Sequence, residues 1–148
     1  MSANENRSPI LLDQRLESSL ESVDHSEERA VALAQESGFS EEETYRLGYA
    51  VREALVNAVV HGNRYSANKV VHFKVTRTSR AIEVVIEDQG SGFSTAMQGD
   101  PLAQENLMNQ SGRGLALIRA FTDEMQVERT TPGGTRVILR KFLPPEAS

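Results

Sequence analysis

The chain has no cysteine and no tryptophan, only three tyrosines and five phenylalanines, and no excess of basic charge. Without cysteine there is no disulfide framework, no thiolate zinc site and no thiol chemistry, and nothing in the chain requires an oxidising compartment. No basic-then-apolar segment opens the N-terminus, and no run of about 18 apolar residues offers a membrane span, so a cytoplasmic protein without a membrane partner is expected. Sixteen Lys and Arg stand against 21 Asp and Glu, a net charge of −5. That balance argues against a general binder of nucleic acid or anionic lipid. A small anionic ligand stays open, because it needs only a local positive field.

What is present is ordinary: 148 residues, 39% of them hydrophobic and 25% charged. That length is enough for one domain with a substantial core. The polar residues 1–8 read as a flexible N-terminus, residues 9–143 as a single domain, and residues 144–148 as a flexible C-terminus. Ile10, Leu12, Leu16 and Leu20 share a parity, which predicts a first strand around residues 10–20. A helix is expected over residues 24–36, with Ala30, Val31, Leu33 and Ala34 inward and Gly38 as its stop. Ser40 followed by Glu43 is a capping-box signature, and it opens a helix running to about His61.

Two alternating segments follow, Val71, Phe73 and Val75, then Ile82, Val84 and Ile86, with a turn between them at Thr78-Ser79-Arg80. One-sided alternation suits a sheet with helices packed on one face. Residues 93–111 lack strong periodicity, except that Asp100-Pro101 can start a short helix to about Met108. Leu115, Leu117, Ile118 and Phe121 predict another helix. Met125 and Val127 begin a strand, Thr131-Pro132-Gly133-Gly134 makes a turn, and Thr135, Val137 and Leu139 return as its hairpin partner.

Chemistry concentrates on the long helix from Ser40. Leu47, Ala50, Val51, Ala54, Leu55, Ala58 and Val59 form an apolar stripe, and Glu53, Asn57 and His61 line up beside it at i, i+4 and i+8. A carboxylate and a carboxamide next to a buried stripe need partners, structural or ligand. His61 reads as a partner for the C-terminal end of the helix dipole. Asp88-x-Gly90-x-Gly92, Gly112-x-Gly114 and Gly134-Thr135 also stand out. Each glycine pair alone is a weak signal. There is no Gly-Lys-Ser/Thr P-loop, and Gly112-x-Gly114 has Leu117 where a dinucleotide fingerprint needs a third small residue.

Taken in order, the set resembles the GHKL (Bergerat-fold) ATPases over residues 40–142. The run Asn57-Ala58-Val59-Val60-His61-Gly62 and the segment Ser111-Gly112-Arg113-Gly114-Leu115 are similar to the bacterial anti-sigma-factor serine-protein kinases within that superfamily. The resemblance implies an α+β two-layer sandwich, with a mixed, mainly antiparallel sheet and helices on one face. It implies ATP and Mg²⁺ as ligands. Asn57 would hold the metal through its amide oxygen, and Glu53 would act as the catalytic base. Asp88 would accept a hydrogen bond from the adenine amino group, with Gly90 and Gly92 allowing close backbone approach. Gly112 and Gly114 would present N–H groups to phosphate at a helix N-terminus, with Arg113 adding charge and the Thr135 hydroxyl supporting the base.

The implied partners are a sigma factor and a STAS-domain antagonist of the anti-sigma factor, phosphorylated on Ser or Thr, with a homodimer possible in such a family. Two alternatives stay open at this point. One is a nucleotide-gated binding module with little or no kinase activity, acting on a target other than a sigma factor. The other is a histidine-kinase-like module acting on a separate protein.

Overall fold

A computed structural model describes residues 9–90, 114–130 and 133–145. Strand β1 (Ile10–Glu17) leads into helix α1 (Leu20–Glu36), then helix α2 (Glu41–Val56), which continues unbroken as a π-helical segment, Asn57–Gly62. Strands β2 (Val70–Arg77) and β3 (Ala81–Glu87) follow. Helix α3 (Gly114–Phe121) precedes β4 (Glu124–Arg129) and β5 (Thr135–Phe142).

The five strands form one sheet in the order β1-β2-β3-β5-β4, and every neighbouring pair is antiparallel. The fold is α+β, as expected, and the described strands contain no parallel pair. β5 enters between β3 and β4, which puts Thr135 beside the end of the central strand β3. There Asp88 N–H donates to the Thr135 carbonyl at 2.9 Å.

The alternating strand residues face one core. Val71, Phe73 and Val75 from β2, Ile82, Val84 and Ile86 from β3, and Val137 and Leu139 from β5 pack with Ala50, Val51, Ala54 and Leu55 of α2 and with Val23, Ala30 and Ala34 of α1. Ile118 joins them from α3, where Phe121 meets Tyr49 edge-to-face at 5.6 Å. Their burial removes enough apolar surface to hold the helices on one face of the sheet. The opposite face is charged: Arg136 bridges Glu87 and Glu128, and Arg140 bonds Glu83. His72 pairs with Asp13 on that same face.

The caps explain where the helices start. Ser40 Oγ accepts from Glu43 N–H at 3.1 Å, as the capping-box signature requires. Gly38, with φ of 91°, ends the chain's run out of α1 in the left-handed region. The first boundary differs from expectation: β1 stops at Glu17, and α1 begins at Leu20 rather than near residue 24. Ser19 is extended and its Oγ accepts from Ser22 N–H, so local capping overrides the parity that grouped Leu20 with the strand. The short helix expected from Asp100 to Met108 and the turn residues Thr131 and Pro132 lie outside the described residues.

Candidate functional site

The amphipathic spacing of α2 buries Ala50, Val51, Ala54 and Leu55 and leaves Glu53 and Asn57 half-buried at the edge of that stripe, one turn apart. Neither finds a hydrogen-bonding or ionic partner for its side-chain oxygens among the described residues, and Asn57 Nδ2 is fully buried without one. Polar atoms in that condition have unused hydrogen-bonding capacity beside a core. At Asn57 the helix widens, so that Asn63 N–H reaches back five residues to the Ala58 carbonyl at 2.8 Å. His61 is exposed in the last turn of the segment.

The widening delivers Gly62 against Asp88. A Cβ on Gly62 would overlap the Asp88 carboxylate, one on Gly90 would overlap the Gly62 carbonyl, and one on Gly134 would overlap the Asp88 carbonyl. Gly62 therefore packs on the acidic side chain, Gly90 on the Gly62 backbone and Gly134 on the Asp88 backbone, and none has room for a larger residue. Asp88 is only 6% exposed. Its Oδ1 accepts from Gly90 N–H at 2.9 Å and from Thr135 N–H at 3.1 Å, whereas Oδ2 has no protein donor among the described residues. Burial pushes the carboxyl from its ordinary 3.8 up to about 6, opposed by the two N–H donors and by the nearby Arg129 guanidinium.

Asn63 fastens this corner. It is 1% exposed, and its Nδ2 donates to Ser18 Oγ and to the Val70 carbonyl while its Oδ1 accepts from Gln89 N–H. Gln89 Oε1 in turn accepts from Val70 N–H at 2.8 Å. Arg64 and Tyr65 follow with φ of 51° and 59°, a left-handed pair that turns the chain sharply towards β2. Thr135 is tied to Asp88 through both of its backbone groups, and its Oγ1 accepts from Arg129 Nη1 at 3.2 Å.

The structure thus brings Asp88, Gly90 and Thr135 together at the end of β3, and sets Glu53 and Asn57 on one edge of α2. Gly114 begins α3. Gly92, Gly112 and Arg113 lie outside the described residues. Reasoning from sequence used Gly62 as the last residue of the Asn57 run, Asn63 only as part of the helix end, and Gly134 as a turn residue and half of the Gly134-Thr135 motif, with no contact to Asp88 foreseen for any of them. Arg129 was missed altogether, since a basic residue ending a hairpin strand carries no sequence signal of its own.

The donor and acceptor set at the Asp88 corner suits a flat, amino-bearing base. The corner has an acceptor oxygen without a protein donor among the described residues, Gly62 packed against that carboxylate, and a hydroxyl at the same end. A divalent ion fits less by enclosure than by sharing. Among the described residues no group of three or more His, Asp or Glu side chains is placed to hold a metal. A hard cation near Asn57 would be held mainly by ligand oxygens and water, as Mg²⁺ usually is.

A five-stranded antiparallel sheet with helices on one face, and a buried carboxylate packed on Gly62 at the end of its central strand, defines an α+β domain. A family model for the histidine kinase-like ATPase domain matches residues 16–141, and the chain belongs to that family. Membership in a family of ATPase domains implies ATP binding. Similar proteins include the anti-sigma F factor of Clostridium novyi (strain NT), 32% identical over 96 residues that make up 64% of this chain and 67% of the relative. The anti-sigma F factor of Priestia megaterium is 33% identical over 96 residues, 63% of this chain and 65% of the relative. That of Clostridium perfringens (strain 13 / Type A) is 29% identical over 102 residues, 68% and 73% of the two chains. No described helix is long and apolar enough to cross a membrane.

Proposed function

We propose that this protein is an ATP- and Mg²⁺-dependent anti-sigma factor and serine/threonine-protein kinase, which binds a sigma factor and phosphorylates a STAS-domain antagonist. The observation that carries the nucleotide half is the buried Asp88 carboxylate, packed on Gly62 and held through Oδ1 by Gly90 and Thr135 N–H, with Oδ2 left for a ligand amino group. The partner half rests on the similarity to proteins named anti-sigma F factor.

In this reading Asp88 Oδ2 accepts from the six-amino group of adenine, and the Thr135 hydroxyl meets the neighbouring ring nitrogen. Gly90 and Gly92 leave room for the base. Gly112 and Gly114 offer backbone N–H groups to the phosphates near the start of α3, with the Arg113 charge beside them. Asn57 supplies an amide oxygen to the metal, which when bound neutralises phosphate charge. Glu53, one turn before it, carries no competing ion pair among the described residues and is free to take the proton of the attacking hydroxyl. The oxygen of the antagonist's Ser or Thr bonds to the γ-phosphorus as the bond to the bridging oxygen breaks, and ADP leaves. The phosphate adds charge and bulk to the antagonist, which disfavours its binding and frees this chain for the sigma factor. A homodimer is part of the same proposal, as is a cytoplasmic location.

Calorimetry with ATP and GTP, with and without Mg²⁺, tests the site. Wild type is expected to bind ATP well above GTP, with Asn57→Ala losing the Mg²⁺ dependence and Asp88→Asn losing ATP. Glu53→Gln is expected to bind ATP normally but to transfer no labelled γ-phosphate to a STAS-domain antagonist. Wild type indifferent to millimolar ATP would reject the proposal.

A further inference from the structure

Arg129 ends β4 directly opposite Thr135, the first residue of β5. Its Nη1 lies 3.2 Å from Thr135 Oγ1. A guanidinium has donors only, so the hydroxyl oxygen must accept, and the hydroxyl proton is left for some other acceptor. Arg129 also stands close enough to Asp88 to attract its carboxylate. Two neighbouring groups of the pocket therefore acquire defined polarity from one side chain: Asp88 Oδ2 as an acceptor and Thr135 Oγ1–H as a donor.

That order matches one purine. The edge of adenine offers an amino donor next to a ring-nitrogen acceptor, whereas guanine offers a carbonyl acceptor next to an N–H donor. Guanine would set acceptor against acceptor and donor against donor, leaving buried polar groups unpaired.

We propose that Arg129 is a specificity-determining residue of the nucleotide pocket, which polarises the Thr135 hydroxyl and holds Asp88 as a carboxylate so that adenine is chosen over guanine. The inference rests on the nucleotide reading above and adds to it a residue that makes no assigned contact with the ligand.

The charges around Asp88 support the electrostatic half. From β4 comes Arg129, which favours the ionised form, and from its own strand comes Glu87, which opposes it. Glu87 is partly neutralised by Arg136 of β5, at 2.7 Å. From the helical side the neighbours are Gly62 and Asn63, both uncharged, and His61 in the same segment is exposed. Arg129 is thus the one cation among the described groups that acts on this carboxyl.

The test has two readouts. The first is the Asp88 carboxyl followed by carbon NMR against pH in the nucleotide-free protein. The second is the affinity for ATP and for GTP across the same range. Wild type should titrate near pH 6 and lose ATP affinity about tenfold for each pH unit well below that. Arg129→Met should raise the midpoint by roughly one unit and narrow the preference for ATP over GTP by about tenfold or more. Arg129→Lys, which keeps the charge, should return the midpoint towards wild type. Should Arg129→Met fail to fold, Arg129→Gln, with a donor but no charge, carries the same titration. An unchanged midpoint and an unchanged ATP-to-GTP ratio would overturn the inference. A wild type that binds no ATP overturns the functional reading instead, and the nucleotide-free titration then still decides whether Arg129 governs Asp88.

Discussion

The two ends of the site are built on opposite terms. At the Asp88 end almost every polar group is already committed: Oδ1 to two N–H donors, the backbone to Thr135, and Asn63 to three partners on three segments. At the α2 end Glu53 and Asn57 are half-buried and their side-chain oxygens have no partner among the described residues. The first end is preorganised by the fold and contributes to its stability. The second waits for ligand oxygens and a cation to satisfy it. Recognition of a rigid base and handling of mobile phosphates call for these two solutions, because preorganisation lowers the cost of binding only where the ligand has one shape.

Substitutions at the two ends should therefore separate stability from binding. The largest effect is expected for Gly134→Ala, whose Cβ would strike the Asp88 backbone, which has no freedom to move aside. Destabilisation of about 3 kcal/mol is expected, with ATP binding lost as well, read as a lower melting temperature by calorimetry. Next comes Asn63→Ala, which strands the part-buried Gln89 N–H and Val70 carbonyl and the Ser18 hydroxyl. A loss of about 2 kcal/mol in a urea titration is expected, and an effect near zero would mean that water replaces the amide.

Asp88→Asn should move stability the other way. Because the folded carboxyl titrates near 6 and the unfolded one near 3.8, the folded state binds more protons between those values. Stability therefore falls as pH rises from about 4 to about 6 and levels off above, a penalty on the order of 3 kcal/mol at neutral pH. The amide keeps an oxygen for Gly90 and Thr135 and carries no charge. The variant is expected to be more stable than wild type by about 1–2 kcal/mol at pH 7 and equal to it near pH 4, while binding ATP at least a hundredfold more weakly. A variant less stable at pH 7 would show that the ionised carboxylate supports the fold.

The smallest effect on stability belongs to Asn57→Ala. Its Nδ2 is buried without a partner among the described residues, so removing it should change stability by no more than about 0.5 kcal/mol while abolishing Mg²⁺-dependent nucleotide binding. Equal losses of stability at Asn57 and Asn63 would erase the contrast between the two ends.

Much of this was legible in the chain. The capping box at Ser40, the apolar stripe from Leu47 to Val59 and the alternation of Val71, Phe73 and Val75 are local patterns, and local patterns report local structure. The same logic failed at Leu20, where strand parity and a cap at Ser19 competed within a few residues and the cap prevailed. The widening of the helix at Asn57 carried no local signal of that kind.

By itself the sequence determined the secondary elements, the one-sided sheet and the order of the polar and glycine motifs, because each depends on residues a few positions apart. Only the tertiary structure decided what Asp88 is. Its side chain packs on Gly62 and its backbone on Gly134, its donors come from Gly90 and Thr135, and among the described residues its favourable cation is Arg129. Burial and field at a carboxylate are sums over neighbours in space. Here those neighbours meet because β5 inserts beside β3 and the end of α2 unwinds onto the same corner.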